Sequence, residues 1–159
     1  MAIKTQGTQL FFIDPLNNSV VAIHCATGIS GFSAPRGQIE TTCLEADSRT
    51  YQPSMRTPGA LTVNLNFDPT NASHLRIHQL YEDGVENIKF ALGWSDGSDM
   101  PTVDTNGEFT LPETRTFSAF DGYFVDVPLE FALSAAVTSA VSLQVSGTVV
   151  IVPKNQPAP

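Results

Sequence analysis

Residues 123–133 read YFVDVPLEFAL, and this stretch decides the fold class. Apolar side chains take every second position, and Asp126 and Glu130 stand between them. A period of two places successive side chains on opposite faces of a β-strand, so that one face is buried and the other meets water. The stretch therefore predicts a long strand with a polar outer face, which we place at residues 116–133.

Two further stretches repeat this alternation, LTVNLNF at 61–67 and VSLQVSGTVVI at 141–151. The second belongs to a predicted strand over 136–152, and the short join before it predicts an antiparallel hairpin with the first strand. Long strands of this kind expose edges that a closed barrel or a partner must cover. The pattern thus predicts a mainly β protein and favours assembly. Shorter strands are predicted at 8–13, 20–26, 38–44 and 88–94.

One helix is predicted, from Ala72 to Asp83. Asn71 or Ser73 can cap its first turn, and Gly84 is a typical C-terminal stop. Its apolar stripe covers one face of a sheet. The stripe consists of Ile77, Leu80 and Tyr81, with Leu75 beside it.

The composition fits one domain that packs against other copies of itself. The chain has 159 residues, of which 15% are charged, well below the roughly 25% of typical soluble domains. Its net charge of -8 argues against a conventional nucleic-acid binder, which needs Lys and Arg to neutralise phosphates. No apolar run approaches the roughly 20 residues of a membrane helix, so the sequence predicts no membrane span.

The sequence predicts no catalytic residue, no metal site and no cofactor. It contains no G-x-S-x-G and no phosphate-binding glycine motif. His74 and His78 are spaced for a shared helix face, but Leu75 stands where a zinc protease has Glu. Cys25 and Cys43 lack a C-x-x-C spacing, and we expect two reduced core thiols, with a disulfide or a metal site as alternatives.

Residues 45–59 show neither a helical nor a strand period. A structureless connection of about 15 residues is long for a compact domain and is usually functional or disordered. We therefore predict a long docking loop within a single domain over 1–159, flanked by an N-terminal arm (1–7) and a C-terminal tail (153–159). The candidate contact residues in the loop are Asp47, Arg49, Tyr51, Met55 and Arg56.

Asp126 and Glu130 are predicted on one strand face, with Gln144 near them on the hairpin partner and Glu40 as a further candidate. Two interpretations stay open. The residues form an ordinary wet sheet face, or they form an acidic wall that faces a polyanion without binding it.

The order of the elements resembles the major tail tube protein of long, non-contractile-tailed bacteriophages. The likeness covers residues 8–153 and rests on a strand and loop, TTCLEADSRTYQPSMRTPGALTVNLNFDP, and on a helix, ASHLRIHQLYEDG. It also rests on FALGWSDG, followed by FDGYFVDVPLEFALSAAVTSAVSLQVSGTVVIVPK.

This resemblance implies a β-sandwich or small barrel of two packed antiparallel sheets with one flanking helix. It implies hexameric rings, in which strands of neighbours join into an inner β-barrel, and rings that stack into the tail tube. The partners it implies are other copies, the ruler, tip and terminator proteins, and DNA as a passenger that does not stick. The protein would be located in the virion tail, and in the host cytoplasm during assembly.

Three other readings stay open from the sequence. Another ring-forming tail protein, such as a tail terminator or a contractile-tail tube protein, would share the fold. A monomeric β-sandwich that binds carbohydrate or a receptor could use Trp94, Tyr51 and Tyr123 as aromatic contacts. A hydrolase on a β-scaffold is disfavoured, since the sequence lacks a nucleophile motif.

Overall fold

The structure is a computed structural model that describes residues 2–155. These residues form eleven strands and one helix. No helix within them is both long enough and apolar enough to cross a membrane. In chain order the elements are β1 (Gln9–Asp14), β2 (Ser19–Ile23), β3 (Ala26–Ser30), β4 (Arg36–Glu40), β5 (Tyr51–Arg56), β6 (Ala60–Asn66), α1 (Ala72–Glu82), β7 (Ile88–Gly93), β8 (Thr102–Val103), β9 (Phe109–Thr110), β10 (Phe117–Asp126) and β11 (Thr138–Val152).

Seven strands form one antiparallel sheet in the order β2-β1-β7-β10-β11-β6-β3. The two end strands, β2 and β3, follow one another in the chain and meet at His24 and Cys25, where Cys25 has a φ of 59°. Ile23 of β2 and Ile29 of β3 both pack into the core that contains Phe90. Because side chains from both ends of the sheet share one core, the sheet curls into two packed layers. The predicted mainly β fold with packed antiparallel layers is confirmed.

Helix α1 agrees with the prediction. The Asn71 side chain accepts a hydrogen bond from the Ser73 amide at 3.0 Å, which caps the first turn. Gly84 follows the helix with a φ of 62°, a left-handed conformation that glycine adopts without strain. Ile77 and Leu80 are buried in the main core, so α1 flanks the sheet on its core side.

His74 connects the start of α1 to the corner between β2 and β3. Its Nε2 lies 2.7 Å from the carbonyl oxygen of His24, and its Nδ1 accepts a hydrogen bond from the Asp68 amide at 2.9 Å. The ring is fully buried and stacks on Phe67. Both ring nitrogens are therefore used inside the protein. His78, one turn later, is half-buried, and its Nε2 lies 3.7 Å from Glu82 Oε1.

The alternation in β10 is present, but its faces are the reverse of those predicted. Phe120 and Phe124 are buried, whereas Tyr123 is 41% exposed and Val125 is 46% exposed. Phe124 packs edge-on against Phe12, with ring centroids 5.9 Å apart. Both sets of side chains in this stretch contain apolar residues, so the period alone does not say which set is inside. The larger aromatic area decides it.

Strand β10 ends at Asp126, seven residues before the predicted end at residue 133. Pro128 has no amide hydrogen to donate to a sheet, and beyond it only Glu130 forms an isolated bridge, with Thr138. The antiparallel pairing of β10 with β11 is confirmed. The prediction of a short turn between them is wrong, because residues 127–137 form a long irregular connection between the two strands.

Three further expectations need correction. The stretch 45–59 is not structureless, because it contains β5, which pairs with β4. The predicted strand 20–26 is split into β2 and β3 at Cys25. Cys25 and Cys43 are free thiols, but both are exposed, so they do not belong to the core.

Candidate assembly surfaces

One side of the sheet presents a row of small polar side chains across four neighbouring strands. Ser30 of β3 pairs with Thr62 of β6, which pairs with Ser142 of β11, which pairs with Asp126 of β10. Directly paired residues lie on the same face of a sheet. Their strand neighbours Leu61, Val63, Val141 and Leu143 are buried on the other face. We call the side that carries this row the polar sheet face.

The polar sheet face also carries Asp121, which is not among the predicted wall residues. Asp121 pairs with Ser146, which alternates with Ser142 and Gln144 along β11. A register shift between Phe124 and Asp126 adds a residue to β10 there. Because this bulge reverses the alternation, Asp121 and Asp126 lie on one face although their numbers differ by an odd count. In the sequence, Asp121 occupies one of the positions that alternate with Phe120 and Phe124, so the burial of these two aromatic side chains places Asp121 on the exposed face.

Gln144 lies on the polar sheet face, where it pairs with Tyr123. It is half-buried, and its amide nitrogen donates hydrogen bonds to the carbonyl oxygens of Pro58 at 3.2 Å and Val145 at 3.1 Å. The side chain therefore anchors the chain that enters β6.

Glu40 stands apart from Asp126 in the structure, whereas Glu130 lies four residues beyond it in the same register with β11. Glu130 is held by its backbone, whose amide donates to Thr138 O at 2.9 Å, and it lies beyond the end of β10. Glu40 ends β4, in a different sheet, and its carboxylate lies 4.0 Å from Arg49 Nε. Glu130 pairs with Thr138 in the same register in which Asp126 pairs with Ser142, so both carboxylates lie on the predicted common face, although β10 itself ends at Asp126.

A second surface is the projecting hairpin, residues 33–58, which contains β4 and β5. Every residue of it is exposed or half-buried. A two-stranded hairpin alone is marginally stable in water, and this one exposes large apolar side chains. Four of the five predicted docking residues, Arg49, Tyr51, Met55 and Arg56, are exposed on or beside β5, and Asp47 is exposed in the turn before it. The exposed apolar side chains of the hairpin are Ile39, Leu44, Tyr51 and Met55.

The two ends of the chain meet at one corner around Arg115. The Arg115 side chain is 1% exposed, its guanidinium lies over the rings of Phe11 at 5.8 Å and Phe117 at 5.6 Å, and burial lowers its pKa. Its five N–H groups have five acceptors. These are the carbonyl oxygens of Gly7, Gly93, Trp94 and Asp99 and the side-chain oxygen of Gln9.

The predicted N-terminal arm and C-terminal tail are both attached at this corner. The carbonyl oxygen of Lys4 accepts a hydrogen bond from Ser95, and the Lys154 amide donates to Thr116 Oγ1 at 3.0 Å. Asp96 accepts from the Thr116 amide at 3.0 Å; burial opposes ionisation of its carboxyl, but the Thr116 hydrogen bonds hold its pKa below the usual range. Residues 1 and 156–159 of these segments lie outside the described residues.

These features define a class of protein: a mainly β protein that carries a polar sheet face and an exposed apolar hairpin on its surface. Within residues 2–155, no three His, Cys, Asp or Glu side chains lie close enough together to hold a metal ion. Over residues 1–155 the chain matches the family described as phage tail tube, lambda-like. It is 41% identical to "Structural protein 3" of Pseudomonas phage PAJU2 over 157 residues, 96% of this chain and 95% of that protein.

The chain therefore belongs to the lambda-like family of phage tail tube proteins. It is a structural protein of the phage particle, located in the tail, and it is not an enzyme. The predicted resemblance and the predicted structural role are confirmed.

Solved structures with low sequence identity share the fold. The SPP1 tail tube has a TM-score of 0.66 at 17% identity, covering 94% of this chain and 78% of that one. The tail of an empty gene transfer agent particle, determined with C6 symmetry, has a TM-score of 0.67 at 9% identity over 95% and 99%. The sheath–tube complex of an extracellular contractile injection system has a TM-score of 0.65 at 10% identity over 96% and 92%. A phage tail tube, a gene transfer agent tail and a contractile injection system thus share this fold.

Proposed function

We propose that six copies of this chain form a ring, that the rings stack into the tail tube, and that the polar sheet face lines a bore through which DNA passes. The row from Ser30 to Asp126 carries this proposal. It gives four adjacent strands a hydrophilic surface with the core behind it. The C6 symmetry of the gene transfer agent tail supports the choice of six.

The strands of the polar sheet face have the charge expected of a channel wall to which DNA does not bind. Strands β3, β6, β10 and β11 contain no Lys or Arg, and the polar sheet face carries Asp121 and Asp126. Phosphates bind proteins through basic side chains, whereas this face offers them neutral polar side chains and carboxylates. In physiological salt the repulsion acts over about 8 Å, and therefore only carboxylates on the wall itself contribute.

Assembly would also remove the exposed features of the single chain. Strand β3 ends the sheet with one pairing edge that no strand of residues 2–155 occupies, and an unpaired edge is a site for a strand of another chain. We propose that the projecting hairpin docks on a neighbouring copy and buries Tyr51 and Met55. Rings that stack head to tail form an open-ended contact, so the ruler, tip and terminator proteins would define the length and the ends.

Charge reversal on the polar sheet face tests the bore. We expect Asp121→Lys with Asp126→Lys to leave tubes intact in electron micrographs and to slow DNA ejection from particles, because phosphates then meet two ammonium groups per subunit. The control is Glu82→Lys with Glu86→Lys, which changes the charge equally on the helix side of the subunit. Ejection at the wild-type rate from the first variant would contradict the assignment of this face to the bore.

Removal of the apolar side chains tests the hairpin. We expect Tyr51→Ser with Met55→Ser to stay folded, because neither side chain is in the core, and to lose tube formation. Leu75→Ser, at an exposed position of α1, is the matched control. Tubes of normal yield from the double variant would contradict the docking role.

A further inference from the structure

Two arginines face each other at the base of the projecting hairpin. Arg36 of β4 and Arg56 of β5 are direct cross-strand partners, and both are exposed. Like charges in this position repel and destabilise a hairpin. Within residues 2–155 neither arginine has a carboxylate oxygen within 4.0 Å. The chain has 16 acidic and 8 basic residues, so this unpaired basic pair stands out against an excess of available acids.

A cavity of about 210 Å³ lies beside this pair. Arg56 forms part of its wall, and apolar side chains form much of the rest. Two of these, Phe32 and Ile151, are 40% and 56% exposed. The site therefore combines an apolar recess with a positive rim. The apolar lining residues are Phe32, Ala34, Pro58, Val145, Val149 and Ile151.

The connection between β10 and β11 has the complementary chemistry. Leu129 is 41%, Phe131 is 77% and Leu133 is 98% exposed, and the exposed Glu130 lies among them. The segment has a defined shape, because Val127 is buried at its start and Glu130 is bridged to Thr138. A preformed segment loses little conformational entropy when it binds. Exposed apolar side chains grouped in this way mark an interaction site.

We propose that residues 129–133 of one copy dock at the hairpin base of a second copy, with Phe131 in the cavity and Glu130 between Arg36 and Arg56. This inference rests on the proposed tube assembly and names one of its contacts. Because Phe131 is highly exposed, its own chain does not cover the phenyl group, which is therefore free to contact a partner. The carboxylate removes the repulsion between the two arginines, and the aromatic ring fills the recess. The contact joins different patches of two copies, as a ring or a stack of rings requires.

Charge exchange tests this pairing. Arg56→Glu and Glu130→Arg are each expected to lower the yield of sedimentable tubes by at least about tenfold, the effect of breaking one close charge pair. The variant that carries both changes restores an opposite pair at position 56 while Arg36 stays unchanged, so its yield is expected to rise at least about threefold above that of either single variant. Circular dichroism checks that each variant is folded. Glu86→Arg, away from the proposed contact, is the control for a charge reversal.

A cross-link provides the second measurement. In a background with Cys25→Ser and Cys43→Ser, the pair Phe131→Cys and Ile151→Cys is expected to give covalent multimers when assembled tubes are oxidised, and each single cysteine to give none beyond dimers. Normal tubes from either charge reversal, a double variant that stays unassembled, or monomers alone after oxidation would overturn the pairing and leave the tube function standing. A wild-type chain that never forms rings or tubes would overturn the proposed function, and this inference with it.

Discussion

Arg76 in helix α1 donates two hydrogen bonds of 2.7 Å to the carboxylate of Asp14 at the end of β1, from Nε to Oδ2 and from Nη2 to Oδ1. The side chains are 16% and 5% exposed. Asp14 also accepts a hydrogen bond from the Leu16 amide at 3.0 Å. The hydrogen bonds from Arg76 lower the pKa of Asp14 below its ordinary value. This bidentate pair fastens the helix to the turn between β1 and β2.

Breaking this pair should cost more stability than breaking an exposed one. We expect Arg76→Met to lower the free energy of unfolding by roughly 3 kcal/mol, because it leaves a mostly buried carboxylate without its cation. The matched control is Lys89→Met, which removes the partner of Glu108 at an exposed site and should cost about 1 kcal/mol or less. Urea unfolding of the monomer measures both. Equal costs would show that the Asp14 pair is no stronger than a surface ion pair.

The same pair predicts a dependence on acid pH. The pKa of Asp14 is lower in the folded protein than its ordinary value of 3.8, so the unfolded chain takes up the proton first on acidification. The stabilisation is complete above the ordinary value and is lost as the pH falls through the folded-state pKa. We expect the stability difference between wild type and Asp14→Asn to be constant above about pH 5 and to shrink below about pH 4. A difference that stays unchanged down to about pH 3 would contradict the lowered pKa.

The fold could be predicted from the sequence where pattern and local chemistry agree. Alternation located β6 and β11, the strands predicted at 8–13 and 88–94 correspond to β1 and β7, and the cap and stop residues placed α1 within a residue of its observed ends. The faces of β10 could not be predicted, since both alternating sets contain apolar side chains and only three-dimensional packing of Phe120 and Phe124 selects one. The second predicted strand is divided at Cys25, which adopts a left-handed backbone conformation. This break could not be predicted, because the position is not a glycine.

The candidate surfaces could be predicted only in part. Asp126 and Gln144 do share the polar sheet face. Asp121 was missed because a bulge shifts the register by one residue, and a bulge leaves no sign in an alternation count. The pairing of β4 with β5 could not be predicted because Pro53 interrupts β5 and because a hairpin exposed on all sides needs no regular alternation of apolar and polar side chains. The cross-strand position of Arg36 opposite Arg56 follows from that pairing, so it could not be predicted either.

The Arg115 corner carries the last prediction, because its guanidinium holds the N-terminal arm through the Gly7 carbonyl oxygen at 3.0 Å. Arg115→Lys keeps the charge and a tryptic site but supplies only three donors for five acceptors. We expect it to lower the free energy of unfolding by about 2–4 kcal/mol and to speed tryptic cleavage after Lys4, since the arm then detaches from the body more often. Arg49→Lys, at an exposed position, is the control for the exchange of cation, and mass spectrometry follows both. Cleavage after Lys4 at the wild-type rate in Arg115→Lys would mean that contacts such as Ser95 with the Lys4 carbonyl oxygen hold the arm without the guanidinium.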